Sequence, residues 1–138
     1  MTPRCAITTM AQVKPRRVLV VDDDDIIREV AKMALEVVGG WHVITATCGD
    51  EAGRLAVESL PDVVLLDVMM PALDGPSTAA LLGADPATSA VPVIFLTAKS
   101  PLNDEQLGSL PNLVGVITKP FDPMSLAAEI RELAGWRE

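Results

Sequence analysis

Residues 18–25 read Val-Leu-Val-Val-Asp-Asp-Asp-Asp, and residues 63–67 read Val-Val-Leu-Leu-Asp. In both stretches a short apolar run ends directly in carboxylates. If the two runs are neighbouring parallel strands, their ends bring several carboxylates to one place, where the charges repel unless a divalent cation or a lysine compensates them. Such a place can bind a metal ion and can host a nucleophilic aspartate.

Apolar periodicity alternates between strand and helix along the whole chain. Strands are predicted at residues 18–21, 41–46, 63–66, 91–96 and 113–117. Helices are predicted at residues 27–38, 52–59 and 74–82, with a short one at 103–110 and a last one that Asp122 caps and Pro123 opens.

The predicted strands are almost wholly apolar, so both faces of their sheet need cover, which interleaved helices supply. The predicted fold class is therefore α/β, a five-stranded, doubly wound parallel sheet with helices on both faces. Ligands of such sheets bind beyond the carboxyl ends of the strands, near the point where strand order reverses. The residues that directly follow strands at this edge are Asp22–Asp25, Asp67, Thr97, Ala98, Lys119 and Pro120.

Length and charge limit the classes of function. A chain of 138 residues, 49% of them hydrophobic, is enough for one domain with a full core. Residues 18–138 hold seven basic and nineteen acidic residues, a net charge of −12, which disfavours nucleic acid because its affinity comes mainly from phosphate neutralisation. We expect a flexible leader over residues 1–15 and one folded domain over residues 16–138.

No segment has the properties of a membrane anchor or an export signal. The apolar runs are shorter than the roughly 18 residues that span a bilayer, and the first 17 residues lack a signal-peptide core. We therefore expect a soluble, cytoplasmic protein without a membrane partner. Cys5 and Cys48 form no metal or disulfide pattern, and His42, the one histidine, falls in the second predicted strand, away from the acidic edge.

Four blocks of sequence, in this order and spacing, resemble the signature of response-regulator receiver domains of two-component signalling. They are VLVVDDDD (18–25), VVLLDVMMPALDG (63–75), VIFLTAKS (93–100) and VITKPF (116–121). The resemblance covers about residues 16–136 and implies the flavodoxin-like strand order 2-1-3-4-5.

The resemblance also implies a role for each residue at the acidic edge. Asp67 would accept a phosphoryl group from a histidine kinase or a histidine phosphotransfer protein. Mg²⁺ or Mn²⁺ would bind Asp23 directly and Asp22 largely through water, and Asp67 and the backbone carbonyl of Met69 would complete the protein ligands. The residues implied to contact the phosphoryl group are Thr97, Ala98 and Lys119, and the Lys119–Pro120 peptide bond is expected to be cis.

Physical chemistry agrees with these roles. A carboxylate is a poor nucleophile toward a phosphoryl group that already carries negative charge, so the site needs cations whose effect grows in the transition state. Mg²⁺ supplies one such charge, and Lys119 supplies the other. The hydroxyl of Thr97 is a hydrogen-bond donor, and Ala98 is small enough to admit the phosphoryl oxygens.

Other interpretations compete with this one. Asp24 and Asp25 are better explained as a helix start, which favours acids. A flavodoxin-type cofactor carrier needs a Ser/Thr/Gly-rich loop where Asp22–Asp25 lie, and a haloacid-dehalogenase-like phosphatase needs an aspartate where Met69 lies. The serious alternative is a degenerate receiver that binds partners without phosphorylation.

Two features depart from the family pattern. Val116 occupies the position, three residues before Lys119, that usually holds an aromatic side chain that rotates inward on phosphorylation, so we expect a weaker response at the usual output surface. The predicted helix at 103–110 is short, and we expect it to be mobile.

The predicted function is that of a stand-alone receiver, because no output domain follows the last predicted helix. It would catalyse only its own phosphorylation and dephosphorylation. Its output would be contact with a downstream protein target or onward transfer in a phosphorelay.

Overall fold

The structure, a computed structural model, describes residues 16–70, 74–97 and 110–136. In this part the strands are β1 (Arg17–Val21), β2 (His42–Ala46), β3 (Val63–Asp67), β4 (Val93–Thr97) and β5 (Leu113–Thr118). The helices are α1 (Asp25–Val37), α2 (Gly49–Ser59), α3 (Gly75–Ala84) and α4 (Leu126–Ala134). The predicted leader over residues 1–15, Ala98 and all but the last residue of the predicted helix at 103–110 lie outside the described residues.

All neighbouring strands pair in parallel, in the order β2-β1-β3-β4-β5. This confirms the predicted fold class and strand order. Every residue of β3 and of β4 is buried, which explains why both strands are continuously apolar in sequence up to their last residue.

Alternate residues of the strands build a separate core on each face of the sheet. On one face, α1 and α4 pack over Val18, Val20, Leu65, Ile94 and Leu96. On the other face, α2 and α3 pack over Leu19, Val21, Leu66, Val93 and Phe95. The predicted cover by helices on both faces is confirmed.

Two aspartates start the helices nearest the acidic edge. Asp24 is the N-cap of α1, where its Oδ1 accepts hydrogen bonds from the amides of Ile26 (2.9 Å) and Ile27 (3.1 Å). Asp74 caps α3 by accepting from the amide of Ser77 at 2.9 Å. These bonds satisfy amides that have no partner within the helix. The interpretation of Asp24 as part of a helix start is confirmed.

The predicted start of the last helix is wrong. Asp122 does not cap α4, which begins four residues later at Leu126. The carboxylate of Asp122 instead accepts from the amide of Met124 at 2.9 Å, and its carbonyl accepts from the amide of Ser125 at 2.9 Å. These bonds close a turn that leads into the helix, which is why the sequence signal lies ahead of the helix itself.

Several other predicted boundaries differ by a few residues. β2 begins at His42 rather than Trp41, and β4 begins at Val93 rather than Val91. α2 begins at Gly49, three residues early, and the carboxylate of Glu51 in its first turn accepts from the amide of Thr47 at 2.7 Å. Helix ends depend on such local bonds more than on apolar periodicity.

Two tryptophan side chains pack together at the amino ends of the strands, opposite the acidic residues. The rings of Trp41 and Trp136 meet edge to face with centroids 5.2 Å apart. The guanidinium of Arg16 lies 4.4 Å from the ring centroid of Trp136, and that of Arg131 lies 5.3 Å from that of Trp41. These contacts tie the end of α4 to the start of the chain's first two strands. No helix among the described residues has the length and apolarity needed to cross a membrane.

Candidate functional site

The acidic site is built from the carboxyl ends of parallel strands. Asp22 directly follows β1, Asp67 is the last residue of β3 and Thr97 is the last residue of β4. Lys119 follows β5 directly. All four strands run in the same direction, so these side chains reach one edge of the sheet. Asp22, Asp67 and Thr97 are buried, whereas Asp23 is exposed.

Three carboxylates cluster at this edge of the sheet. One oxygen each from Asp22, Asp23 and Asp67 can be chosen so that all lie within 4.8 Å of one another. The ammonium of Lys119 lies 2.9 Å from Asp22 Oδ2 and 3.3 Å from Asp67 Oδ1. Lys119 therefore compensates part of the negative charge of the cluster.

Backbone groups hold the carboxylates in place. The amide of Asp24 donates to Asp22 Oδ1 at 2.9 Å, and the amide of Met69 donates to Asp67 Oδ1 at 3.2 Å. The amide of Lys119 donates to the carbonyl of Thr97 at 2.7 Å, and the Lys119–Pro120 peptide bond is cis. The hydrogen bond between Lys119 and Thr97 joins the ends of β4 and β5 beside the carboxylates.

Gly75 allows the first turn of α3 to lie directly against the end of β3. Its amide donates to the carbonyl of Val68 at 3.0 Å. A Cβ at this position would lie 2.6 Å from the carbonyl oxygen of Asp67 and 2.7 Å from the Cα of Val68, closer than real Cβ atoms approach backbone. Only glycine therefore fits without moving the backbone of the phosphoacceptor candidate.

Burial and charge perturb the titration of the site. Burial, followed by the neighbouring charge of Asp22, raises the pKa of Asp67 from 3.8 to about 6, against the opposing effects of Lys119 and the Met69 amide. Burial alone would lower the pKa of Lys119, but its hydrogen bond to Asp22 and the charges of Asp22 and Asp67 outweigh this and raise the pKa. The folded protein thus holds Asp67 in an environment that disfavours its charge.

These residues fit a magnesium ion. Carboxylate oxygens are the donors that this hard cation prefers, and Mg²⁺ keeps several waters rather than demanding many protein ligands. The cleft lined by Asp22, Asp23, Asp67, Met69 and Lys119 has a volume of about 430 Å³, which leaves room for such waters and for a phosphoryl group. The closeness of the three carboxylates and the raised pKa of Asp67 both indicate a site that a cation would stabilise.

Two residues at this site could not be predicted from the sequence patterns. The sequence places Gly75 at a helix start, and it indicates no role for Arg28. Arg28 Nη1 donates to the carbonyl of Asp22 at 2.8 Å. The available signal is an arginine seven residues after the end of β1, on a helix that starts with acids.

Val116 is partly buried and lies beside Phe95 in the register of β4 and β5. It packs against the core that α2 and α3 cover. Its neighbour Phe95, on the strand β4 that lies between β3 and β5, is fully buried in this core.

Comparison with known proteins identifies the family. Residues 18–131 match the family model described as response regulator receiver domain. The chain is 40% identical over 115 residues to a probable transcriptional regulator, ycf27, of Guillardia theta, a match that spans 83% of this chain and 44% of that relative. This chain thus spans about half the length of several curated relatives it matches.

Other similar proteins match this chain over most of their own length. Protein PilG of Pseudomonas aeruginosa is 36% identical over 115 residues, which cover 83% of this chain and 84% of PilG. The receiver domain of sensor histidine kinase PA1611 from Pseudomonas aeruginosa, solved with a magnesium ion coordinated in its active-site cleft, superimposes with a TM-score of 0.76 at 26% identity, covering 88% of this chain and 98% of that one. The fold, the acidic edge and these similarities together show that the chain belongs to the response regulator receiver domain family of two-component signalling.

Proposed function

We propose that this chain accepts a phosphoryl group on Asp67 from a histidine kinase or a histidine phosphotransfer protein. The observation that carries the proposal is the position of Asp67: it is buried at the end of β3, 3.3 Å from the ammonium of Lys119 and within 4.8 Å of the carboxylates of Asp22 and Asp23. Mg²⁺ would be held by Asp22, Asp23, Asp67 and the backbone carbonyl of Met69, as membership of the receiver family implies.

The two oxygens of Asp67 have different surroundings. Lys119 and the amide of Met69 both contact Oδ1. We therefore assign the attack on phosphorus to Oδ2. The new bond joins Oδ2 to phosphorus while the bond from phosphorus to the imidazole nitrogen of the donor breaks, and that nitrogen keeps the electron pair. With a pKa of about 6, Asp67 is mostly ionised at pH 7 and is available as the nucleophile.

Positive charge and hydrogen-bond donors surround the transferred group. A bound Mg²⁺ supplies charge to the phosphoryl oxygens. Lys119 is already within 3.3 Å of Asp67, so a small movement of its ammonium brings it to a phosphoryl oxygen. Thr97, on the neighbouring strand end, would donate its hydroxyl to a second oxygen, and the small Ala98 would leave space for the group.

We further propose that the chain acts as a stand-alone, cytoplasmic receiver without an enzymatic reaction other than its own phosphorylation and dephosphorylation. The coverage of PilG over 84% of its length supports this arrangement. Its output is contact with a downstream protein or onward transfer in a phosphorelay. The net charge of −12 over residues 18–138 supports protein partners rather than nucleic acid or an acidic membrane.

Phosphorylation by a small donor tests the central proposal. Purified protein is incubated with acetyl phosphate and Mg²⁺, and intact mass spectrometry counts the added phosphoryl groups. We expect one group on the wild-type protein and none after addition of EDTA or in Asp67→Asn. Asp50→Asn, the same substitution at an exposed position in the first turn of α2, is the matched control and should be labelled like the wild type.

The outcomes separate the alternatives. Labelling that persists in Asp67→Asn would show that another residue is the acceptor. An unlabelled wild-type protein, also with a panel of purified histidine kinases, would support the degenerate receiver that binds partners without phosphorylation.

A further inference from the structure

Arg28 in the first turns of α1 reaches back to the end of β1. Its side chain is largely buried, with 14% of its surface exposed. Nη1 donates to the backbone carbonyl of Asp22 at 2.8 Å, and Nη2 forms an ion pair with the carboxylate of Asp25. One planar guanidinium therefore joins the strand end to the first residue of the helix.

The carbonyl that Arg28 holds belongs to the peptide that links Asp22 to Asp23. The other polar groups of Asp22 are also held: its amide donates to the carbonyl of Ala46 at 3.2 Å, and its Oδ1 accepts from the amide of Asp24 at 2.9 Å. The contact from Arg28 adds a hydrogen bond to the carbonyl of the peptide plane that precedes Asp23. Because this peptide plane contains the Cα of Asp23, its orientation restricts the direction of the Asp23 side chain.

We propose that Arg28 is a positioning residue for the cation site. By holding the carbonyl of Asp22, it sets the orientation of Asp23, so that the carboxylate of Asp23 stays within reach of those of Asp22 and Asp67. The inference rests on the magnesium site of the proposed function, and it assigns to Arg28 a contribution to cation affinity without contact with the cation.

Electrostatics alone predicts the opposite effect. The guanidinium of Arg28 is a positive charge close to the carboxylates, so it repels a cation bound there. If charge were its only influence, removing it would tighten cation binding. If positioning dominates, removing it weakens binding, because loss of a group that orients a ligand typically costs 10-fold or more in metal affinity. The sign of the change therefore distinguishes the two.

Binding of Mn²⁺ to the unphosphorylated protein measures this sign directly, from the loss of the electron paramagnetic resonance signal of the free ion. Arg28→Met removes the charge and both donors but keeps an unbranched apolar chain. Arg28→Lys keeps the charge, but a single ammonium cannot reproduce the planar two-point contact. Lys32→Met is the matched control, since Lys32 lies one turn further along α1 and pairs with Glu36 at 3.2 Å.

We expect about tenfold weaker Mn²⁺ binding in Arg28→Met, a smaller loss in Arg28→Lys, and unchanged or slightly tighter binding in Lys32→Met. Any other order of the two Arg28 variants and the wild type overturns the inference. If Arg28→Met does not fold, Arg28→Lys decides alone, because electrostatics predicts no change for it and positioning predicts a loss.

Hydrogen exchange in metal-free buffer supplies a second readout. The amide of Asp24 donates to Asp22, so it should exchange faster in Arg28→Lys than in Lys32→Met if Arg28 holds this segment. Equal exchange in the two variants contradicts the inference. Failure of the wild-type protein to bind Mn²⁺ would instead contradict the proposed magnesium site, so the two failures are distinguishable.

Discussion

Replacing Asp67 by asparagine should stabilise the metal-free protein at neutral pH. In the folded state, burial and the charge of Asp22 raise the pKa of Asp67 from 3.8 to about 6. The ionised carboxylate is therefore less favourable in the folded protein than in the unfolded chain. Asparagine has nearly the same shape and its side-chain oxygen can still accept from the Met69 amide, but it carries no charge.

The magnitude follows from the shift in pKa. About two pKa units, at roughly 1.4 kcal/mol each, correspond to about 3 kcal/mol between the two protonation states. Between pH 4 and 6 the folded protein binds more protons at Asp67 than the unfolded chain does, so the contribution of this group to stability falls as pH rises through that window. The cost is nearly complete at pH 7, falls to about 0.5 kcal/mol near pH 4 and vanishes at still lower pH.

Urea unfolding in EDTA at pH 7, 6, 5 and 4 measures this effect. We expect Asp67→Asn to be more stable than the wild type by up to about 3 kcal/mol at pH 7, with the difference declining toward pH 4. Asp50→Asn removes one carboxylate at an exposed site and should change the free energy of unfolding by less than about 0.5 kcal/mol.

Magnesium should reduce the difference in free energy of unfolding between Asp67→Asn and the wild type. A cation that binds only the folded state adds about 2.7 kcal/mol when present at 100 times its dissociation constant, and Asp67→Asn lacks one of the proposed ligands. If Asp67→Asn is equally or less stable than the wild type at pH 7 in EDTA, or if its advantage does not depend on pH, the ionised Asp67 carboxylate does not destabilise the folded state.

Gly75→Ala should destabilise the protein by about 1–3 kcal/mol and reduce phosphorylation of Asp67, because its Cβ would meet the Asp67 carbonyl oxygen at 2.6 Å. Gly53→Ala is the control: the new Cβ meets nothing within 4 Å inside α2, so thermal unfolding should show a gain of about 0.5–1 kcal/mol. Equal effects of the two substitutions would contradict the close approach at Gly75. Beryllofluoride with Mg²⁺, which mimics a phosphoryl group on Asp67, should shift the amide resonance of Thr97 and leave those of Val116 and α4 nearly unchanged, because an aliphatic side chain offers no aromatic rotation that favours one state. Larger shifts at Val116 and α4 than at Thr97 would show another route of activation.

The fold class and the edge of the sheet that carries the candidate site can be predicted from the amino-acid pattern alone. Continuous apolar runs such as residues 63–66 are visible without any structure, and they require a sheet that is covered on both faces. Parallel strands end at one edge, so carboxylates and a lysine that directly follow such runs must lie close together. Periodicity and strand ends are local properties, which is why this much could be predicted.

Contacts between segments that are distant in sequence could not be predicted in this way, because they depend on how the chain packs. The 2.9 Å pair of Lys119 with Asp22, the approach of Gly75 to the backbone of Asp67 and the burial that raises the Asp67 pKa all depend on strand register and helix docking. The start of α4 was mispredicted because Asp122 bonds a turn rather than the helix. A local sequence pattern shows which groups can form hydrogen bonds. Their partners depend on the packing of the whole fold, because each bond competes with every other contact made on folding.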